Sequence, residues 1–498
     1  MKAYLVMDIG TSSTKVSLFG TSGRQLASLS SSYDIQMPEV GWAEQAPQVW
    51  WQAVCQLCPK VLTSAVGIEV LAVVVSGQSP SCVPVDHQGT PQQPSLLWLD
   101  RRSVPQVEWL RQHLGEEHAQ TISTNRLDSY FGGVKWLWFI QNKPKLFERT
   151  WKILQANSYV IYKLTGHAVI DPSQAGLCSP CFDSTTGDWS TEVLDMMGLS
   201  MDKLPKITPA VEVVGGISTE SAGQTGLKSG TPVICGGGDF ACSCLGAGVF
   251  STGSAAMMLG TAGNLLIPNS PQGDSRLLNT FHVTGQRLSL GGVMAGGAIH
   301  WYTHSVLGLE GNDHFSDLEV QASNIPPGSS GLIFLPYLMG ERTPIWDPQA
   351  RAAWIGLSSR HTHAHLFRAV MEGVAYAYRQ MVDIFQQTGN QLLYAVAMDG
   401  GANSTVWRQI FADILNLPIH WRGSSGGTGL GAAFLAAVAI GEEKNFEAVE
   451  RWLEPVQMIH PDNKNIKRYD TLFSIYSSLY PRLAGDFHTL AQIEESND

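Results

Sequence analysis

One aspartate and the glycines before it are the residues of this chain best suited to chemistry. The stretch from Thr231 to Cys242 reads as an apolar strand that ends in Gly236-Gly-Gly and then Asp239. Glycine adopts backbone conformations that other residues avoid and lets the main chain come close to a ligand. The pattern is therefore typical of a carboxylate offered to a substrate as a general base. The same position also suits the N-cap of a following helix, and the residues alone leave both interpretations open.

Two turns rich in glycine and hydroxyl groups form a second set of candidates. The first turn, within residues 8–15, lies between apolar strands predicted at 4–7 and 16–19, and the second lies around Gly260-Thr261. Such turns present backbone N–H groups and hydroxyls, which suit phosphate oxygens. A single turn of this kind is most often an ordinary hairpin. Two of them at matching positions favour a phosphate site.

The elements that would position these groups occur twice along the chain. A strand predicted at 70–75 ends in Ser-Gly-Gln, and a strand predicted at 394–398 ends in Asp-Gly-Gly-Ala. Each hairpin is thus followed by a further strand with a glycine-containing end, and a duplicated α/β domain is the simplest account. Ligands of such sheets collect at the carboxyl ends of the strands. We therefore expect a cleft between the two copies, lined by both hairpin turns.

Length, composition and charge limit the class of protein. With 498 residues the chain should form two or three domains, and 44% apolar residues with 50 glycines are typical of a globular α/β protein. A formal net charge of −11 and the lack of any basic run argue against nucleic-acid binding. The N-terminus does not resemble a signal peptide, and the longest apolar run, near 432–440, is too short for a bilayer. We expect a cytoplasmic protein without a membrane partner.

Three other patterns are weaker guides to function. Cys55 and Cys58, like Cys178 and Cys181, have CxxC spacing, but zinc would require the two pairs to meet across a long stretch of chain. Their apolar surroundings favour buried reduced thiols. Residues 427–432 match part of a dinucleotide fingerprint without the strand that should precede it, so they favour the start of a helix at a helix–helix contact. The Walker A pattern is absent from the sequence.

Several longer motifs resemble those of the FGGY family of carbohydrate kinases, and within it most of all the xylulose kinases. Residues 8–15 are similar to the family's first phosphate hairpin, and residues 236–239 to its catalytic segment. Residues 130–142 resemble the first family signature apart from one glycine, and residues 352–372 resemble the second. Residues 335–344 are particularly similar to xylulose kinases. The resemblance covers essentially the whole chain.

The resemblance implies an α/β fold of two actin-like, RNase H-like domains with an interdomain cleft. Residues 1–245 would form an N-terminal domain with the sugar site, the first phosphate hairpin and the catalytic acid, and residues 246–498 a C-terminal domain with the nucleotide site. The implied reaction transfers the γ-phosphoryl group of ATP, with Mg²⁺, to a hydroxyl of a ketopentose such as D-xylulose. The partners would be the sugar and MgATP, and a homodimer is compatible with the sequence.

The same resemblance implies roles for individual residues. Asp239 would accept the proton of the sugar hydroxyl, and Asp8 would help to hold Mg²⁺. The phosphates and the nucleotide would be contacted by Thr11, Ser12, Ser13, Lys15, Gly260, Thr261, Gly297, Gly401 and Thr405. The sugar would be contacted by Asp239 together with Gln78, Ser79, Pro80, Trp98, Asp100, Tyr130 and Phe240.

The sugar side of the predicted site departs from the family. Ser79 and Pro80 stand where xylulose kinases typically have Met and His, and Phe240 stands where Asn or Gln often follows the catalytic Asp. The His and the Asn or Gln would each hydrogen-bond a sugar hydroxyl. We therefore expect a less polar pocket with altered or weakened specificity. Kinases for another polyol, ketose or sugar acid, similar to glycerol or gluconate kinases, stay open as alternatives.

Two other classes of protein on this fold also stay open. A non-catalytic sugar-binding regulator would lose part of the phosphoryl-transfer machinery, and the presence of both Asp8 and Asp239 argues against it. An ATP hydrolase would turn over ATP without a sugar. Measurement of ATP turnover with and without sugars separates the three classes.

Overall fold

The computed structural model describes residues 1–65, 67–260, 263–269, 273–309, 314–423 and 426–495. The strands are β1 (Lys2–Ile9), β2 (Ser13–Gly20), β3 (Gln25–Ser32), β4 (Glu44–Gln45), β5 (Glu69–Gly77), β6 (Val83–Val85), β7 (Ser95–Leu96), β8 (Lys152–Leu154), β9 (Val169–Ile170), β10 (Phe182–Asp183), β11 (Asp188–Trp189), β12 (Lys206–Ile207), β13 (Val213–Gly216), β14 (Pro232–Gly238), β15 (Ser254–Leu259), β16 (Gly263–Asn269), β17 (Leu278–Phe281), β18 (Arg287–Val293), β19 (Ile333–Leu335), β20 (Ala353–Ile355), β21 (Tyr394–Met398), β22 (Ile419–Trp421) and β23 (Gln457–Ile459). The α-helices are α1 (Pro47–Ser64), α2 (Val104–His113), α3 (Glu116–Ser123), α4 (Gly132–Asn142), α5 (Pro144–Arg149), α6 (Ala156–Thr165), α7 (Pro172–Ala175), α8 (Thr191–Met197), α9 (Thr219–Thr225), α10 (Asp239–Gly246), α11 (Ala298–Trp301), α12 (Phe315–Ser323), α13 (His363–Gln387), α14 (Thr405–Leu415), α15 (Gly427–Ala439) and α16 (Asn463–Glu495).

The chain divides into two compact units, each built from separate stretches of sequence. The first unit contains Met1–Phe250, Ser270–Ser289 and Gly426–Leu453. The second unit contains Ser251–Asn269, Leu290–Ser425 and Glu454–Asp498.

A six-stranded sheet in the order β13-β14-β5-β1-β2-β3 forms the centre of the first unit. β1 pairs antiparallel with β2, which confirms the first hairpin predicted from the sequence. β5 lies parallel to both β1 and β14, and β13 pairs antiparallel with β14. Val73, Val74 and Val75 of β5 are all fully buried. This is expected of a parallel strand with helices on both faces, because neither side of the strand meets water.

The sheet of the second unit repeats this plan. Its strands include, in order, β18-β16-β15-β21-β22-β23. β15 and β16 form the second predicted hairpin, β21 lies parallel to β15 and to β22, and β23 is antiparallel to β22. The order matches β3-β2-β1-β5-β14-β13 of the first unit, and the directions from β16 to β23 match those from β2 to β13. The duplication predicted from the sequence is therefore confirmed in the strand plan.

Helix α13 fills the core of the second unit. Its buried side chains include Val374, Tyr378, Met381 and Phe385, which recur at intervals of four, three and four residues. This spacing places them on one face of a helix, and α13 packs against α14 and β19. The apolar face of α13 thus supports the strands and helices around it.

Close packing of α10 against α15 sets the direction of α10 in the first unit. A Cβ atom on Gly431 would lie 1.9 Å from the carbonyl oxygen of Cys242, so only glycine fits there without a shift of the main chain. The helix–helix contact predicted for the glycine-rich segment at 427–432 is confirmed. Because Asp239 is the first residue of α10, this packing also helps to fix where Asp239 stands.

The cysteines belong to the core of the protein. All eight are free thiols, and all except Cys55 are buried, in line with the interpretation of buried reduced thiols. Burial raises the pKa of the partly exposed Cys55 thiol to about 11, which keeps it protonated near neutral pH. Among the described helices, none has the length and apolar character needed to cross a membrane.

Candidate active site

Asp239 lies where β14 passes directly into α10. The N-cap of α10 is Gly238, so the alternative role of Asp239 as the N-cap is wrong. Its Oδ1 accepts a hydrogen bond from the backbone N–H of Phe240 at 2.7 Å. The bend before it depends on Gly236, which has φ +65° and where a Cβ atom would lie 2.0 Å from the carbonyl oxygen of Val75. The glycine run is thus a backbone requirement for delivering the carboxylate.

The surroundings of Asp239 make it a stronger base than an ordinary aspartate. Burial raises the pKa of Asp239 to about 7, the negative charge of Asp8 adds to this rise, and the hydrogen bond from Phe240 opposes it. Part of the side chain surface stays accessible, although the packing around the carboxylate is dense enough to disfavour its charged form. An accessible base that titrates near neutral pH is suited to accept a proton from a hydroxyl group.

Asp8 lies near the end of β1, between Lys15 on β2 and Ser76 on β5. The Ser76 hydroxyl donates a hydrogen bond to Oδ1 of Asp8 at 3.1 Å. Burial raises the pKa of Asp8, and the Ser76 hydrogen bond and the charge of Lys15 oppose this rise. Among the described residues, none donates a hydrogen bond to Oδ2 of Asp8. That oxygen is therefore available to a cation.

Side chains from later elements hold the turn between β1 and β2. The carbonyl oxygen of Gly10 accepts hydrogen bonds from the Tyr33 hydroxyl at 2.7 Å and from Nε2 of Gln78 at 3.2 Å. The hydroxyl of Thr11 accepts a hydrogen bond from Nε1 of Trp98 at 3.0 Å. These bonds brace the predicted phosphate turn, and they bring two predicted sugar contacts, Gln78 and Trp98, next to it.

Exposure differs among the other residues predicted to contact phosphates in this turn. Ser12 is exposed, Ser13 is half-buried at the start of β2, and Lys15 is exposed on β2. Ser12, Ser13 and Lys15 are therefore all accessible to an anion. A hydroxyl-rich turn next to one lysine can bind phosphate oxygens through hydrogen bonds and charge.

The remaining predicted sugar contacts surround the end of β5. Ser79 and Pro80 are buried directly after this strand, and the Tyr130 hydroxyl donates a hydrogen bond to the carbonyl oxygen of Ser79 at 3.4 Å. Phe240 is half-buried beside Asp239. The predicted residues from three distant parts of the sequence thus come together around the ends of β5 and β14.

Asp100 has a different environment from the other predicted sugar contacts. It is fully buried, and its carboxylate accepts a hydrogen bond from the Ala43 N–H at 2.7 Å and forms an ion pair with Arg102 at 2.8 Å. Arg102 also forms an ion pair with Glu44 at 2.6 Å. Protein donors already occupy both oxygens of Asp100. A sugar hydroxyl that contacts Asp100 would have to share a carboxylate oxygen with one of these protein donors.

The sequence interpretation missed a buried polar cluster on and before α7. Asp171 caps α7 by accepting a hydrogen bond from Ser173 N–H at 2.8 Å, and the Ser173 hydroxyl accepts one from the Gly238 N–H at 2.9 Å. Nε2 of Gln174 donates to the carbonyl oxygen of Gly77 at 3.3 Å. The Asp-Pro pair predicts a capped helix start, but only the fold shows that this helix ties together the ends of β5 and β14.

A cavity of about 710 Å³ lies in the second unit at the carboxyl ends of β15 and β21. Gly260, Gly297 and Gly401 line it, so three predicted nucleotide residues meet there. Thr405 begins α14, next to the lining residue Ser404. The predicted phosphate residue Thr261 lies outside the described residues. A cavity of this volume is in the range of sites that bind small molecules.

The turn after β21 contains a strained residue. Asp399 has φ +66° and ψ −173°, a backbone conformation that glycine adopts readily and other residues rarely do. It directly precedes Gly400 and Gly401, which line the cavity. Its backbone conformation adds a cost of about 1–3 kcal/mol to the folded state.

Comparisons with protein families and individual relatives cover both units. The N-terminal domain of the FGGY family of carbohydrate kinases matches residues 3–246, and the C-terminal domain of that family matches residues 250–440. The xylulose kinase of Staphylococcus xylosus is 30% identical over 96% of this chain and 100% of that protein. The gluconokinase of Bacillus subtilis (strain 168) is 28% identical over 99% of both proteins.

Solved structures of similar proteins have the same fold. The xylulose kinase from Rhodospirillum rubrum has a TM-score of 0.90 at 29% identity, covering 98% of this chain and 100% of that one. The gluconate kinase from Lactobacillus acidophilus has a TM-score of 0.90 at 27% identity, covering 98% of this chain and 99% of that one. The similarity in fold therefore extends to kinases of a ketose and of a sugar acid alike.

Proposed function

Because the chain belongs to the FGGY family of carbohydrate kinases, which use ATP as the phosphoryl donor, we propose that its acceptor is a ketopentose such as D-xylulose. The observation that carries the proposal is Asp239, an accessible carboxylate at a glycine-built strand end, with a pKa raised to about 7 by burial and by Asp8. Similarity to xylulose kinases over nearly the whole chain favours a ketopentose as the acceptor.

Asp239 acts as the general base in this proposal. The sugar hydroxyl passes its proton to the Asp239 carboxylate, its oxygen forms a bond to the γ-phosphorus of ATP, and the bond from that phosphorus to the bridging oxygen of ADP breaks. Base catalysis of this kind contributes about 10²–10⁴ in rate. Gln78, Trp98 and Tyr130 position the sugar, and Ser79, Pro80, Asp100 and Phe240 complete its surroundings.

The residues present also fit Mg²⁺. Asp8 offers one carboxylate oxygen that is not bonded to any described donor, and proteins usually bind Mg²⁺ through one or two carboxylates together with waters and phosphate oxygens. Within the described parts of the chain there is no cluster of three or more metal-binding side chains. We propose Asp8 as the metal residue, and bound Mg²⁺ would neutralise charge on the phosphates.

The proposal divides the two substrates between the two halves of the sequence. Residues 1–245 carry the sugar site, the catalytic acid and the first phosphate turn with Thr11, Ser12, Ser13 and Lys15. Residues 246–498 carry the nucleotide site, formed by the cavity with Gly260, Gly297 and Gly401 and by Thr405 beside it. Thr261 is a further predicted phosphate contact in this half of the sequence. The glycines let the nucleotide lie against the main chain.

One observation favours a sugar acid as a second candidate acceptor. The Arg101 guanidinium lies 5.9 Å above the ring of Tyr130, although it also forms an ion pair with Asp128 at 3.1 Å. A cation at this place could bind the carboxylate of a sugar acid. Relatives of this chain include gluconokinases as well as xylulose kinases.

Coupled measurement of ADP release with a panel of ketoses, aldoses, polyols and sugar acids tests the proposal. We expect the highest kcat/KM with D-xylulose or another ketopentose, and little ATP turnover without a sugar. A highest kcat/KM with gluconate would replace the ketopentose by a sugar acid. Equal ATP turnover with and without every sugar would contradict the kinase assignment in favour of a hydrolase.

A further inference from the structure

Helix α12 contributes a carboxylate to the cavity of the second unit that has no role in the preceding mechanism. Glu319 lines this cavity, and its side chain is half-buried. Its Oε1 accepts hydrogen bonds from the Ser404 hydroxyl at 2.7 Å and the Val406 N–H at 3.0 Å, and a longer one from the Thr405 hydroxyl at 3.4 Å. Glu319 is therefore fixed to the first turn of α14.

These three bonds all end on one oxygen of the carboxylate. Among the described residues, none donates a hydrogen bond to Oε2 of Glu319. The N-terminus of α14 also attracts a negative group through its unpaired N–H donors and its dipole. One oxygen of Glu319 is thus anchored by the protein, and the other remains as a hydrogen-bond acceptor in a cavity lined by this residue.

The groups of a nucleotide differ in how they respond to such an acceptor. Phosphate oxygens are repelled by a carboxylate, whereas the 6-amino group of adenine donates hydrogen bonds and the 6-carbonyl group of guanine cannot. We propose that Oε2 of Glu319 accepts a hydrogen bond from the 6-amino group of adenine, and that Glu319 thereby selects adenine over 6-oxopurine nucleotides. This inference rests on the proposed role of the cavity as the ATP site.

The neighbours of Glu319 support a contact with the base. The turn at Gly260 is the proposed phosphate end of the cavity, whereas Glu319 is bound to residues 404–406 of α14. Phe315 also lines the cavity, and it lies four residues before Glu319 on the same face of α12. The ring of Phe315 is held edge-on by Phe367 at 5.9 Å. An aromatic ring beside a hydrogen-bond acceptor is suited to a purine, which stacks with its face and donates from its edge.

Calorimetric titration with ADP and with IDP, which carries a carbonyl in place of the 6-amino group, tests the proposal without any sugar. One hydrogen bond to a charged group predicts that the wild type binds ADP about 10- to 100-fold more tightly than IDP. In Glu319→Gln the amide oxygen still caps α14, and the amide nitrogen becomes a donor in the cavity. We expect this variant to lose at least about tenfold of the preference, because ADP loses an acceptor and IDP gains a donor.

Asp317→Asn is the matched control, because Asp317 is an exposed acid on the same helix that does not line the cavity. It should leave the ADP preference unchanged. Equal affinities of the wild type for ADP and IDP would overturn the proposal, whether or not the glutamine variant folds. An equal loss of affinity for both nucleotides in Glu319→Gln would also overturn it. So would a change confined to discrimination between ADP and 2′-deoxy-ADP, because Glu319 would then recognise the ribose.

These titrations, together with assays of sugar phosphorylation, separate this inference from the proposed function. A protein that prefers ADP through Glu319 but phosphorylates no sugar would support the inference and contradict the proposed function. A wild type that binds neither nucleotide would overturn both. Phosphorylation of a ketopentose with equal efficiency from ATP and ITP would support the proposed function and overturn the role of Glu319.

Discussion

The ends of β14 and β22 occupy the same place in two sheets of one strand plan, yet they carry different chemistry. β14 ends in glycines followed by Asp239, the proposed base, whose pKa is raised to about 7 by burial and by the charge of Asp8. β22 ends in Trp421 and is followed by Arg422, whose guanidinium donates to the carbonyl oxygen of Glu454 at 2.6 Å. The order and direction of the strands set where a ligand can bind. The residue that follows each strand sets which chemical group the ligand meets there.

The neighbouring parallel strands differ as well. β5 of the first unit ends at Gly77, whose carbonyl oxygen is held by Gln174. β21, at the equivalent place in the second unit, is followed by Asp399 in a backbone conformation that favours glycine. The first unit thus places two acids with raised pKa values, Asp8 and Asp239, at its strand ends, and the second unit holds backbone strain next to a cavity. Both features lower the stability of the folded state, as expected at functional sites.

Loss of the base at the end of β14 should have the largest effect. Asp239→Asn keeps the size of the side chain and removes its ability to accept a proton, so phosphoryl transfer should slow by about 10²-fold or more. Single-turnover measurements with sugar and ATP would give this rate, and ADP affinity should change little. Asp188→Asn, at an exposed acid of the same unit, is the control. Near-normal phosphoryl transfer by Asp239→Asn would show that Asp239 is not the general base. The ends of β14 and β22 would then no longer differ in this chemistry.

Buried Asp171 should make the first unit less stable at higher pH. Burial raises its pKa to about 7 in the folded state, above the ordinary value of the unfolded chain. The stability that comes from its tightly held proton is therefore complete below about pH 4 and is lost as the pH rises through about 7. Asp171→Asn keeps an acceptor for the Ser173 N–H and removes the titration.

Urea unfolding of the wild type and Asp171→Asn at about pH 5 and pH 8 would measure this difference. The free energy of unfolding of the wild type should fall by about 2–4 kcal/mol more than that of the variant over this range. Equal falls in the two proteins would show that Asp171 is charged or exposed in the folded state.

The pH dependence of catalysis should follow the titration of Asp239. Below about pH 7 the carboxylate is protonated and cannot act as a base, so kcat/KM for the sugar should fall about tenfold for each pH unit. The affinity for ADP, measured over the same pH range, would correct for ionisation of the nucleotide. A profile that stays flat from about pH 5 to pH 8 would contradict the raised pKa.

Relief of strain after β21 should have the smallest effect. In Asp399→Gly, loss of about 1–3 kcal/mol of strain is partly offset by the greater flexibility of glycine in the unfolded chain, about 0.5–1 kcal/mol. We expect the free energy of unfolding to rise by about 1 kcal/mol in urea titrations. The opposite exchange in the first unit, Gly236→Ala, should instead destabilise the protein, because its Cβ would overlap the Val75 carbonyl group. Destabilisation by Asp399→Gly would show that its carboxylate makes a compensating contact.

Much of the site could be predicted from short stretches of sequence. Both hairpins, the strand before Asp239 and the strand at 394–398 are formed where the sequence predicts them. These elements depend on apolar residues and on turn residues that are close together in the chain, so a local pattern carries the necessary information. The family resemblance rests on the same short motifs in order along the chain.

The pairing of individual side chains could not be predicted in this way. The family resemblance implies Asp100 as a sugar contact, and its position in the sequence does not show that its carboxylate also forms a buried ion pair with Arg102. Glu319 does not belong to a recognisable sequence motif. Its proposed role follows only from the fold, in which residues 404–406 bind one of its oxygens beside a cavity. These contacts join residues that the fold, and not their spacing, brings together.

By itself, the sequence determined the two hairpins, the strands that follow them, the duplication and the carboxylate after β14, because these follow from local preferences of the backbone and from the alternation of apolar and turn residues. Only the tertiary structure decided which acids are buried, paired or left with an open oxygen. The pKa of Asp239 depends on its burial and on Asp8, which lies on another strand. Burial and electrostatic coupling are properties of a packed environment, and that environment is assembled from residues far apart in the chain.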